Sequence, residues 1–267
     1  MPRAIGIIAL LLAGCASDFE KASLVAGLRV LAITAEPPTA SPTDLVQFTP
    51  LVHPGTDVTF AWSLCALAKG PTTGYECAVD EVPLGATPTT SLAVATLVKK
   101  AQEVADTTGA TIDLEAGVTV YARLKVATAD DTVEAVKRLT ITTAEPRNRN
   151  PALSGLKADG KDWTAEPLVV EPSQKVSLTP RPADGAAETW DDDGDQQTEE
   201  LLYAWFATAG AMEQVFSYEG QPDNAWTAPE LEDEDTKDIT LWVVVRDGRG
   251  GTAWLERTAR VTRGSAQ

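Results

Sequence analysis

From Leu28 onward the hydrophobic positions recur mostly with a period of two, the repeat of strands that bury one face and wet the other. Val58, Phe60, Trp62 and Leu64 alternate with Thr59, Ala61 and Ser63. Val118, Val120, Ala122, Leu124 and Val126 alternate with Thr119, Tyr121, Arg123 and Lys125. Antiparallel sheets accommodate such one-sided burial, so the pattern predicts an all-β protein. One segment departs from it. Between Ser91 and Ala105, the residues Leu97, Ala101, Val104 and Ala105 fall at helical spacing and predict a short helix.

The strand pattern also repeats. Val46-Gln-Phe-Thr-Pro50 is echoed by Val176-Ser-Leu-Thr-Pro180, and Phe60-Ala-Trp62 by Tyr203-Ala-Trp205. Val118-Thr-Val-Tyr121, leading to Leu139-Thr-Ile141, is echoed by Ile239-Thr-Leu-Trp242 leading to Ala259-Arg-Val261. The order is kept while the intervening loops differ, which predicts two similar units. The polar, proline-flanked stretch Ala144-Glu-Pro-Arg-Asn-Arg-Asn-Pro151 separates them and reads as a linker with hinge freedom. Residues 27–145 and 151–264 are each the size of one β-sandwich.

The N-terminus follows a different rule. Met1-Pro-Arg3 precedes the apolar run Ala4–Leu12, which at 1.5 Å per residue is too short for a bilayer core of about 30 Å and reads as a signal-peptide core. Leu12-Ala13-Gly14-Cys15 resembles the lipobox of bacterial lipoprotein precursors. That resemblance implies a signal peptide over 1–14, a lipidated tether over 15–26 and acylation of Cys15, which becomes the first mature residue. An ordinary secretory signal with a chance cysteine is the other reading. Ala16 and Ser17 follow, with no Asp directly after the cysteine. In the enterobacterial version of the family that favours the outer membrane, facing either the periplasm or the surface.

The second unit carries a further resemblance. Trp190-Asp-Asp-Asp-Gly-Asp195, then Leu202-Tyr-Ala-Trp205, then Val245-Arg-Asp247-Gly-Arg-Gly250 is similar to bacterial immunoglobulin-like repeats of the PKD and cadherin-like kind. It departs from them at Gln196–Glu200, where extra residues follow the acidic run. The fold expected is therefore two tandem immunoglobulin-like antiparallel β-sandwiches after a lipoprotein signal peptide.

Composition narrows the function. Of the 267 residues, 39 are acidic and 22 are Lys or Arg, a net charge of −17. Such a balance argues against nucleic-acid binding, which needs clustered cations. Removal of residues 1–14 takes away Arg3 and no acid, moving the charge to −18, so membrane contact rests on acyl chains rather than on attraction to anionic lipid. Cys65 and Cys77 remain as an even pair. In an oxidising compartment they predict a disulfide contributing about 3 kcal/mol, against two free thiols or half a metal site.

Eight acids and no base lie between Asp184 and Glu200. Asp191, Asp193 and Asp195, with Gly194 permitting a turn, have the oxygen-rich character that calcium takes, and a solvated loop is the alternative. The cluster Glu230–Asp238 reads as a solvated turn. A hydrolase would need two carboxyls about 5–9.5 Å apart in a cleft, which chain spacing does not reveal. His53 lies in a turn-like Val52-His-Pro-Gly55 context with no partner motif. Trp62 and Trp205 read as core residues, and Trp242 and Trp254 as half-buried. Trp163, Trp190 and Trp226 lie in turn-rich segments, where they offer either a glycan-stacking platform or loop packing. The expectation is a non-enzymatic, lipid-anchored envelope protein that acts as a structural or protein-binding module and holds no cofactor. The alternative is a calcium-stiffened adhesion or glycan-binding module.

Overall fold

The computed structural model describes residues 21–108, 111–192 and 194–263. Cys15 and Asp193 lie outside the described residues.

The first half contains β1 (Arg29–Glu36), β2 (Thr39–Ala40), β3 (Leu45–His53), β4 (Thr59–Cys65), β5 (Val82–Gly85), β6 (Thr90–Ala93), helix α1 (Val94–Thr108), β7 (Val118–Ala127) and β8 (Thr132–Ile141). One sheet has the order β1-β3-β6 and the facing sheet the order β2-β8-β7-β4-β5. The second half contains β9 (Leu153–Ala158), β10 (Lys161–Trp163), β11 (Leu168–Val170), β12 (Lys175–Pro182), β13 (Thr189–Asp192), β14 (Asp195–Thr198), β15 (Leu202–Ala207), β16 (Ala211–Met212), β17 (Phe216–Tyr218), β18 (Asn224–Thr227), β19 (Thr236–Arg246) and β20 (Thr252–Thr262). Its sheets run β10-β9-β12-β18-β16 and β11-β20-β19-β15-β17, with β13 and β14 forming a separate hairpin.

The two halves share one plan, an immunoglobulin-like sandwich. The trio β1-β3-β6 matches β9-β12-β18, and β2-β8-β7-β4-β5 matches β11-β20-β19-β15-β17. Even the short parallel pairing is kept, β2 against β8 and β11 against β20. The repeated Val-x-x-Thr-Pro motif falls on β3 and β12, and the tryptophan motif on β4 and β15.

Each sandwich fills with the residues that alternation points inward. Phe48, Trp62, Leu64, Leu124 and Leu139 centre the first core, and Tyr203, Trp205, Trp226, Leu241 and Val243 the second. Both motif tryptophans satisfy their indole N–H, Trp62 on the Thr87 carbonyl at 3.0 Å and Trp205 on Ser217 Oγ at 2.8 Å, as burial of that polar tip requires.

The helix starts later than its spacing predicts. Ser91 and Leu92 pair with Gln47 and Val46 of β3 as a strand, and Leu92 is buried in the core. Sheet pairing thus overrides the local helical pattern until Val94.

A third apolar cluster lies between the sandwiches. Leu31, Ala32 and Leu51, with Val25 from the segment before β1, meet Ala204, Phe206, Trp242 and Val244. These last four alternate with core residues on β15 and β19, so that sheet is buried on both faces. A register shift between Val30 and Ala32 is the device that serves two cores from one strand. It directs Leu31 and Ala32 to the interface while Ile33 and Ala35 enter the first sandwich. Residues 23–25 join in: Ala207 N–H donates to the Ser23 carbonyl and Val25 N–H to the Ala207 carbonyl, both at 2.9 Å. The chain therefore grips the second sandwich before it enters the first.

The linker is not a hinge. Asn148 is 3% exposed, and its Nδ2 donates to Asp247 Oδ2 at 2.8 Å. Asn150 Nδ2 donates to the Ala35 carbonyl at 2.7 Å, while its Oδ1 accepts from Thr252 N–H at 2.8 Å. Short polar side chains read as flexible linker in the sequence are here the fasteners between two folded units.

Heating should therefore unfold both sandwiches in one calorimetric transition. Combined Phe206→Ala and Trp242→Ala, each removing about 3–5 kcal/mol of buried packing outside both cores, should split that transition in two. Two independent transitions in the wild type would contradict the coupling.

Candidate functional site

The acidic run forms a hairpin. Asp191 pairs with Gln196 and Asp192 with Asp195 across β13 and β14, and Gly194 takes a φ of 95° at the turn. Asp191 Oδ1 is occupied by Gly194 N–H at 2.8 Å. Among the described residues no three His, Cys, Asp or Glu side chains are placed to hold one metal ion. Asp191 and Asp195 lie on this hairpin, and Asp193, the third candidate ligand, lies outside the described residues.

At its base the hairpin is held by arginines. Arg249 Nη1 lies 3.0 Å from Glu199 Oε1 and 3.9 Å from Glu188 Oε2, and Arg149 donates to Glu188 through Nε. Burial pushes the Glu199 carboxyl above the usual carboxylate range, against the hydrogen bond it accepts from Glu188 N–H and the charge of Arg249. Ion pairs thus occupy both Glu188 and Glu199.

The three turn tryptophans do not assemble. Trp163 is 5% exposed and Trp226 fully buried, both within the second core, with indole N–H groups donating to the carbonyls of Glu166 and Ala209. Only Trp190 remains partly accessible, and the Arg249 guanidinium lies 4.4 Å above its ring. A stacking platform of all three has no common surface here, because packing claims two of its members. His53 ends β3 and sets its ring edge-on to Trp242 at 5.5 Å. Burial holds its pKa below the usual value, opposed by Glu256. Cys65 and Cys77 form a disulfide with Cα atoms 5.6 Å apart, tying the end of β4 to the following loop.

A buried polar network forms at the turn Asp247–Gly251 between β19 and β20. Asp247 is 3% exposed. Its Oδ1 accepts from the N–H groups of Arg249, Gly250 and Gly251 at 2.8–2.9 Å. Its Oδ2 accepts from Gly251 N–H and from Asn148 Nδ2. Gly251 is required at this point, since a Cβ would lie 2.0 Å from Asp247 Oδ2 and 2.8 Å from the Arg149 carbonyl. The first sandwich reaches the same turn with Lys137, whose Nζ donates to the Gly250 carbonyl at 2.6 Å and to Thr252 Oγ1 at 3.0 Å. Arg246 Nη2 returns the contact by donating to the Leu31 carbonyl at 3.1 Å.

Lys137 is 8% exposed. Burial is the main cause that pushes its pKa down to about 8, with Asp247 opposing and Arg246 and Arg138 assisting. The motif Val-x-Asp-x-x-Gly marked this turn as strand-end geometry, but nothing in the chain signalled that Lys137, more than a hundred residues earlier, would meet it.

No family model matches the chain, and no curated protein matches it in sequence. Among solved structures it is similar to the two tandem V-type regions of VCBP3, a v-region-containing chitin binding protein, at 14% identity over 86% of this chain and 99% of that one, with a TM-score of 0.32. It is also similar to the D0-D1 domain of intimin, at 11% identity over 88% of this chain and 99% of that one, TM-score 0.23. The Bacteroides ovatus mixed-linkage glucan utilization protein SGBP-B is similar at 12% identity over 90% of this chain and 48% of that one, TM-score 0.22.

The lowered Lys137 pKa fixes the sign of a pH effect. Between about 8 and the ordinary 10.5 the unfolded chain binds the extra proton and the folded chain does not, so stability rises with pH across that window. Relative to Lys137→Met, the wild type should gain up to about 3 kcal/mol from pH 8 to 10.5 in denaturant titrations. A difference that stays constant across the window would contradict the buried ammonium.

Proposed function

We propose that the chain is a lipid-anchored cell-envelope protein whose paired sandwiches form a rigid, non-catalytic structural or protein-binding module, held close to the outer membrane by acylated Cys15. The observation that carries this reading is the docking of residues 23–25 on Ala207 of the second sandwich. The segment leading from Cys15 thereby joins both sandwiches, not the first alone. From Cys15 to Ser23 an extended chain reaches roughly 28 Å at most, so the module stands close above its anchor. Several acyl chains, each methylene contributing about 0.8 kcal/mol on burial, are sufficient to hold such a body at a bilayer.

The immunoglobulin-like plan supplies loops at both sandwich ends and exposed edge residues such as Phe216 and Tyr218 on β17. Loops and edges of this kind make contacts with other proteins without chemistry of their own.

The test is metabolic labelling of the full-length protein in a bacterial host with an alkyne fatty acid, followed by detergent phase separation. The wild type should carry the label and enter the detergent phase. Cys15→Ser should lose both properties. An unlabelled wild-type protein cleaved at another position would overturn the anchoring.

A further inference from the structure

Between the sandwiches, beside the Asp247 turn, a groove of about 340 Å³ opens to solvent. Its walls come from β1 and β8 in the first sandwich and from Arg246, Gly248 and Gly250–Thr252 in the second. It gathers three cations, Lys137, Arg138 and Arg246, on a chain whose net charge is −17.

None of the three is in an ion pair within 4.0 Å among the described residues. Their hydrogen bonds go to neutral acceptors instead. Lys137 uses two of its three N–H groups, on the Gly250 carbonyl and Thr252 Oγ1. Arg246 donates to the Leu31 carbonyl, and Arg138 to the Arg249 carbonyl at 3.4 Å. The nearby acid is Asp247, and its two oxygens already accept from four donors, three turn amides and the Asn148 side chain. A carboxylate offers about four lone-pair sites, so Asp247 has none left for the groove.

A buried cation is stable when an anion faces it. The groove supplies the cations and unused donors, and Asp247 is not among its lining residues. Leu31, Ala32 and Val136 line the same space, so part of the wall is apolar and suited to carbon as well as to charge.

We propose that this groove is a binding site for a small organic carboxylate, seated by the Lys137 ammonium and the Arg246 guanidinium against the β1–β8 wall. The planar guanidinium fork matches a carboxylate's two oxygens, Lys137 contributes its third N–H, and Arg138 screens the mouth. The ligand would contact both sandwiches at once, so its binding also fastens the interface. The site uses residues from 30 to 252 only, so its failure leaves the anchoring reading standing, and failure of acylation leaves the groove intact.

The full chain should be titrated at pH 7 and constant ionic strength with glucuronate, citrate and inorganic phosphate, reading calorimetric heat and the amide NMR shifts of Gly250–Thr252. Saturable binding of glucuronate or citrate is expected, and which of the two binds tighter separates a sugar acid from an open-chain acid. Arg246→Gln and Arg138→Gln should each weaken the affinity at least tenfold. Arg138 is exposed and makes one long hydrogen bond, so Arg138→Gln decides the matter if Arg246→Gln fails to fold. The proposal is overturned if neither carboxylate saturates at millimolar concentration, if phosphate binds as tightly as both, or if a folded Arg138→Gln binds like the wild type.

Discussion

A carboxylate removed from water needs hydrogen-bond donors at nearly every lone pair, and the donors that satisfy it are thereby fixed in place. Asp247 is such a group. Three amides of its own turn and the side-chain amide of Asn148 converge on it, and Asn148 belongs to the segment that joins the two sandwiches. The arrangement makes the linker part of the second sandwich's core structure. With the linker fixed, Asn150 is positioned to bond β1 and β20 together. Lys137 closes the clasp from the first sandwich. The apolar contact of Leu31 and Leu51 with Phe206 and Trp242 then has a defined geometry to occupy.

Much of the fold was legible in the chain because sandwich strands obey a local rule. Alternation identified Trp62, Leu64, Val120 and Leu124 as inward residues, and each is buried. The duplicated motifs found corresponding strands because both halves had to solve the same packing problem. The interface was less legible, since it depends on which sheet covers which. Its trace was nonetheless present. Leu202–Ala207 and Leu241–Val245 are nearly continuous apolar runs, the signature of strands buried on both faces, and they depart from the strict alternation of Val118–Val126. The asparagines of the linker carried no such trace. Asn148 and Asn150 have the composition of a mobile connection, and only the buried acceptor and the open β1 edge make them structural.

The candidate sites divide along the same line. The Cys65–Cys77 bridge was readable from the even pair of cysteines. Trp163 and Trp226 sit in short, turn-flanked strands, where sequence does not distinguish an exposed ring from one that folds back into the core. Within the acidic 184–200 segment, Glu188 and Glu199 meet Arg149 and Arg249, which come from distant turns that chain spacing does not reveal. Likewise the cationic groove exists only when β8 and the Asp247 turn are brought together. Sites made by the meeting of two units are invisible to a reading that treats each unit alone.

The clasp makes the two sandwiches one rigid body. Residual dipolar couplings of the full chain in a weakly aligning medium test this directly. A single alignment tensor should fit the backbone amides of both sandwiches. Two tensors of different magnitude or orientation would show independent motion and contradict the clasp built on Asp247.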